Sequence, residues 1–152
     1  MKQKLRIIVI MLTMLIAIST VMVIALAASG QTPPDGSTEE QRREYISTLG
    51  YRCAEGEQAR NIVIPAHFTE VYENYNQLQL QSGFDLSRYK GDSAICYTYS
   101  ITNYPDPTGG FYRDIKLTLI TVGGKIVGGD ISSAALDGFM EGLSCRDGTT
   151  SE

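Results

Sequence analysis

The chain has 152 residues, a net charge of −4, and 43% hydrophobic against 20% charged residues, a balance ordinary for one globular domain. It excludes collagen-like, coiled-coil and wholly disordered classes. All 17 acidic residues but only ten of the 13 basic ones lie beyond residue 28, so that part is acidic. This argues against nucleic acid, whose backbone needs clustered Lys and Arg.

The chain begins with Lys2, Lys4 and Arg6, followed by an uncharged run over residues 7–28. At 1.5 Å per residue this run reaches about 33 Å, enough to cross a hydrocarbon core. Cations on its N-terminal side place that end in the cytoplasm and the rest of the chain outside. The run exceeds the usual apolar core of a cleaved signal, so residues 1–28 read as a retained membrane anchor. The alternative is a secreted domain cut after Ala27, at the small-x-small pattern Ala25-Leu26-Ala27.

Residues 29–37 are polar, with Pro33, Pro34 and two glycines, and read as a linker. The domain is then expected over 38–143, with a loose tail at 144–152. Ser37 and Glu40 have capping-box spacing, which predicts a helix over about 38–48 ended by Gly50. Arg42, Tyr45, Ile46 and Leu49 form its stripe, and Glu39–Arg43 is an i,i+4 pair. Residues 51–55 and 59–65 read as strands. A second helix is expected over about 66–81, with Phe68, Val71, Tyr72, Tyr75 and Leu78 inward and Glu70, Glu73, Asn74, Asn76, Gln77 and Gln81 on the other face. Gly83 ends it, Phe84 and Leu86 pin its exit, and Gly91 turns the chain into a sheet.

The last third reads as antiparallel strands. In 93–103, Ile95, Tyr97, Tyr99 and Ile101 alternate with Cys96, Thr98, Ser100 and Thr102. Residues 105–110 make a loop, 112–122 a strand, Gly123-Gly124 a hairpin turn, and 125–131 the returning strand. A short last helix near 133–141 is an open alternative. The order α-β-β-α-β-β-β gives an α+β fold: a two-layer sandwich with two helices packed on an antiparallel sheet.

No residue set points to a catalytic role. His67, the one histidine, reads as a capping or surface residue, and no nucleophile elbow accompanies it. Cys53, Cys96 and Cys145 lack CxxC or Cys/His spacing, so no zinc or other cofactor is expected. They allow one disulfide plus a free thiol, or three reduced thiols. The glycines of 123–130 interrupt strands and do not lead into a helix, unlike a phosphate loop. Gly128-Gly129 fits a bulge or a close backbone approach. Asp130 falls near Leu117 on the apolar side, where it needs a partner, unless a bulge turns it elsewhere. The chain has nine tyrosines and no tryptophan. Tyr97, Tyr99 and Tyr104 either join the core or line a polar groove. With Asp130 they make the candidate ligand- or partner-binding set.

Several blocks together resemble one family. They are REYISTLGY (43–51), Ile64-Pro65, VYENYNQLQLQSGFDLSRYKG (71–91), YTYSITNYP (97–105), IVGGD (126–130) and GFMEGL (138–143). The chain is similar to the bacterial domain-of-unknown-function family numbered 4830, over roughly 38–143. Its usual aromatic after the first Leu-Gly is Tyr51 here, and the cysteines stand outside its pattern. The resemblance implies a small tethered or exported protein of Gram-positive anaerobes and carries over no activity, ligand or catalytic residue.

The resulting expectation is a membrane-tethered domain that binds an envelope protein or peptide without catalysis. One alternative is a hydrolase pairing Asp130 with Glu70, Glu73 or Asp85. Another is a small-ligand sensor using the tyrosine face.

Overall fold

The computed structural model describes residues 32–135 and 138–144. The expected anchor, the start of the linker, most of the tail and Cys145 lie outside those residues. The chain divides between Thr32 and Pro33, and the unit that begins at Pro33 is described here.

Helix α1 spans Glu39–Thr48. Its capping box is Thr38–Gln41: the Gln41 N–H donates to Thr38 Oγ1 at 3.2 Å, and the Thr38 N–H donates to Gln41 Oε1 at 3.0 Å. This is one residue later than expected, because the Ser37 hydroxyl turns back to Asp35 Oδ1 at 2.9 Å. Gly50 follows the helix at φ +85°, the left-handed conformation that a helix end favours. Arg42, Ile46 and Leu49 of the expected stripe are buried, and the Glu39–Arg43 pair closes at 2.7 Å.

Five strands form one antiparallel sheet in chain order: β1 Gln58–Val63, β2 Ser93–Ile101, β3 Ile115–Val122, β4 Lys125–Ser133 and β5 Met140–Gly142. Helix α2, Glu70–Gln81, and a 3-10 helix, Leu86–Tyr89, lie between β1 and β2. The expected strand at 51–55 is reduced to one bridge between Cys53 and Ile101. Gly56, at φ +83°, separates that bridge from β1. Helix α2 starts at Glu70 and not at 66, because Ile64 is still bonded to Asp92 and Gly91, just before β2. The chain therefore leaves the sheet only at Pro65 and needs residues 65–69 to reach the helix. No short last helix forms among the described residues. Met140–Gly142 instead pairs with β4 as β5.

The α+β class holds, and the two-layer arrangement is corrected. Successive strand residues point to opposite faces, and β2 buries residues on both. Tyr99 and Ile101 lie opposite Leu117 and Ile115 and pack with Ile46, Leu49 and Tyr51 around α1. Ala94 and Cys96 pack with Ile120, Val127, Tyr72 and Tyr75 around α2. The helices therefore cover opposite faces, and the layers run helix, sheet, helix. The alternation placed Cys96 opposite the tyrosine face, and that face carries this second core.

Gly123 and Gly124 turn the β3–β4 hairpin at φ +56° and +78°, as a tight two-residue turn requires. The register slips at Ile120/Thr121, where Ile120 pairs with Gly128 but Thr121 pairs with Ile126. Val127 is the bulge residue. The slip pairs Asp130 with Thr118 and not Leu117, which aims it at the α2 face.

Candidate functional site

On the α1 face, Arg42 is the hub. Its Nε donates to the Tyr99 hydroxyl at 2.9 Å, Nη1 to the Gly36 carbonyl at 2.7 Å and Nη2 to Glu57 Oε1 at 2.8 Å. Its guanidinium lies 3.5 Å over the Tyr97 ring, a cation–π contact. The Tyr99 hydroxyl also donates to Glu57. Burial, and then the hydrogen bond to Glu57, push the Tyr99 phenol well above its ordinary range. Tyr99 is thus a neutral donor inside the core.

Tyr104 belongs to a separate aromatic group on the same side. Its ring stacks parallel to Tyr51, with centroids 6.2 Å apart, and sits 5.2 Å from Phe139. Its hydroxyl donates to Glu141 Oε1 at 2.7 Å. Phe111 and Met140 nearby in sequence are exposed.

Asp130 lies on the opposite face, so the candidate set is not one site. Tyr97 and Tyr99 meet at Arg42, Tyr104 joins the aromatic group, and Asp130 accepts from the Tyr75 hydroxyl at 2.8 Å. Burial holds the Asp130 carboxyl above its usual range, and hydrogen bonds from Tyr75 and Ser132 oppose the shift. Glu70 and Glu73 are exposed in the first turn of α2. Asp85 caps the 3-10 helix through the Ser87 N–H at 3.0 Å. Among the described residues no group of three His, Cys, Asp or Glu residues is placed to hold a metal. Cys53 and Cys96 are free thiols, both raised by burial. His67 is exposed in the bend before α2.

The α2 side buries two polar residues: Asn76, which the periodicity put outside, and Gln79. The Asn76 side-chain oxygen accepts the Leu86 N–H at 2.8 Å, fastening the 3-10 helix. Gln79 is fully buried, and its Oε1 accepts the Gly129 N–H at 2.8 Å. A Cβ at Gly128 would fall 2.9 Å from that oxygen, so this glycine admits the side chain.

Gln79 belongs to a row of contacts that closes the outer edge of β4. The Gly36 N–H donates to the Gly124 carbonyl, the Ile126 N–H to the Pro34 carbonyl, and the Ser133 N–H to the Phe139 carbonyl. Asp130, Ile131 and Ser132 pair with β5. The end of the expected linker, at 34–37, is therefore docked on the hairpin, and the Asp35–Lys125 ion pair at 3.2 Å strengthens it. Beyond β5 lies the end of α2, since a Cβ at Gly142 would fall 2.8 Å from the Leu78 carbonyl oxygen.

The opposite edge has no such cover among the described residues. β1 is the outermost strand, and five of its six residues are exposed. The Ile64 N–H bonds the Asp92 carbonyl. Alternation along an antiparallel ladder then turns the groups of Ile62, Arg60 and Gln58 toward β2 and those of Val63, Asn61 and Ala59 outward. A groove of about 620 Å³ runs beside this edge, lined by Asn61, Val63, Ser93, Ile95 and Thr121 among others. Val63 is 63% exposed. The available sequence signal was a strand whose only large apolar residues, Ile62 and Val63, sit at one end.

The family model described as Domain of unknown function (DUF4830) matches residues 45–131, from α1 through β1 to β4. No curated protein and no solved structure matches the chain.

Proposed function

The chain belongs to the DUF4830 family, and we propose that it is a docking module of the cell envelope that performs no catalysis. Residues 7–28 tether it to the membrane, the domain from residue 38 faces outward, and an extended polypeptide lies along β1. The tether rests on the length of the uncharged run and the three cations before it. The observation that carries the docking is the β1 edge, which no described residue covers, with three outward N–H groups and three outward C=O groups at Ala59, Asn61 and Val63. Strand addition draws affinity from such main-chain groups and specificity from alternate side chains. A strand added here lays every second side chain beside the groove at Val63 and Ile95.

A photo-crosslinking amino acid at Val63, installed in the full-length protein in intact cells, tests this. One discrete adduct is expected, and it should be absent when the same group replaces Val71, which is 78% exposed on α2. Equal labelling from both positions, or none from Val63, overturns the docking reading. External protease applied to the same cells should remove the domain. A fully protected domain overturns the outward orientation.

A further inference from the structure

We infer that the strand received by β1 is β1 of a second copy, antiparallel, with the two-fold axis at Asn61. This rests on the reading of β1 as a docking edge and names its occupant. The support is that the edge complements itself in one register only. With Asn61 opposite Asn61 of the second copy, Ala59 faces Val63 of that copy and Val63 faces its Ala59. All outward N–H and C=O groups of the two strands then find partners, giving six hydrogen bonds.

Neighbouring registers fail. An axis at Arg60 sets two guanidinium groups directly opposite each other, which is destabilising. An axis at Ile62 or Val63 brings Pro65, which has no N–H, against an outward group. An axis at Ala59 sends Asn61 and Val63 past the end of the partner strand. In the Asn61 register Arg60 instead faces Ile62 of the second copy. β1 itself carries no acidic residue and no proline, so nothing within it blocks pairing. On the groove face, each Val63 lies beside Ala59 of the other copy, one such apolar pair on either side of the central Asn61 pair. The two sheets become one sheet of ten strands.

Six residues of strand span about 20 Å, so the contact is small beside stable interfaces of about 1,200–2,000 Å². The pairing is therefore weak between dispersed molecules and forms at the local density of copies tethered in one membrane.

The test uses the full-length protein in phospholipid vesicles, with donor-labelled and acceptor-labelled copies mixed at rising protein-to-lipid ratio. Energy transfer should rise with a saturating dependence on density. Asn61→Pro removes the central N–H, which a strand edge tolerates when it faces outward, and should weaken pairing at least tenfold. Asn61→Lys and Asn61→Asp each set like charges across the axis and should each weaken it about fivefold. A mixture of the Lys and Asp variants should restore it, because only a two-fold axis at residue 61 sets that residue against itself. Slow exchange of the Ile126 and Gly129 amides certifies that each variant is folded. Transfer unaffected by Asn61→Pro, or no recovery in the mixture, overturns the inference. If the Val63 crosslink then joins a different polypeptide in cells, the docking reading survives without it. If Val63 gives no adduct at all, both fall.

Discussion

The two edges of the sheet are treated in opposite ways. At β4 the chain supplies its own cover piece by piece: Pro34 and Gly36 at the hairpin, Gln79 at Gly129, then β5 and Phe139. At β1 it supplies none among the described residues. An unpaired strand edge invites association, and natural domains blunt edges they do not use. The fold recruits a buried glutamine to satisfy one N–H on one side, yet among the described residues it leaves three outward N–H groups on the other, and the proposed docking edge rests on this asymmetry. Arg42 holds the two edges in one frame. It bonds the Gly36 carbonyl within the β4 cover and Glu57 just before β1.

The largest loss of stability is expected at Arg42. Arg42→Met leaves Glu57 without its cation and frees both the Gly36 strap and the start of β1. Removing one partner of a buried pair is strongly destabilising, and Glu57 retains 19% side-chain exposure, so a loss of about 3 kcal/mol is expected, at the low end of such cases. Urea unfolding of the full-length protein measures it, and a loss below 1 kcal/mol would remove Arg42 from that role.

Gln79→Met keeps the volume and removes the acceptor at Gly129. A buried N–H left unmade costs about 1–3 kcal/mol. The Gly129 amide should then exchange faster while the amides of β2 stay slow. If the loss were spread evenly over the sheet, Gln79 would be core packing and not an edge cap.

pH sharpens the contrast within the closed side. Asp130 is raised by burial, so the native state keeps its proton to higher pH than the unfolded chain. Its contribution is most favourable below the unfolded value of 3.8 and declines as pH rises through the folded value. Asp130→Asn should flatten that decline and be no less stable than the parent at pH 7. Asp35 runs the other way. The Ser37 hydroxyl and N–H, together with Lys125, hold its carboxyl at about 2 against 3.8. Its strap is intact above the unfolded value and is lost as pH falls toward 2. A stability profile for Asp130→Asn that parallels the parent from pH 4 to 7 would contradict the first assignment.

The smallest effect on stability is expected at β1 itself. Val63→Lys should change it by no more than about 0.5 kcal/mol, as exposed substitutions usually do. The same change should weaken docking, read as loss of the adduct from a crosslinker at Ala59. An unchanged adduct would place the partner elsewhere.

Much of this architecture was legible in the sequence because it is periodic. The alternation in β2 and β3, the Gly123-Gly124 turn and the α1 stripe come straight from burial repeating every second or every third to fourth residue. Two overlapping capping signals, Ser37–Glu40 and Thr38–Gln41, differ by one residue, and the choice depends on what Ser37 meets in space. Asn76 and Gln79 were unreadable for the same reason. Polar residues point inward there because the backbone groups they satisfy lie in the 3-10 helix and in β4, far away in the chain. The second core was hidden because Ala94 and Cys96 are small and stand among serines and threonines. The candidate site was least legible of all. An open edge is defined by what fails to pair with it, and Tyr97, Tyr99, Tyr104 and Asp130 stood out by residue type while the edge residues did not.

The most direct test of the two-edge account is amide exchange, read residue by residue on the full-length protein. It would be measured first in its own membranes and again after dispersal to single molecules in mild detergent. Ile126, Gly129 and Ser133 should be slow in both states, because the chain closes that edge itself. Ala59, Asn61 and Val63 should be slow in the membrane and fast after dispersal, because only a partner closes theirs. Equal exchange of those three amides in the two states, whether fast or slow, would contradict it.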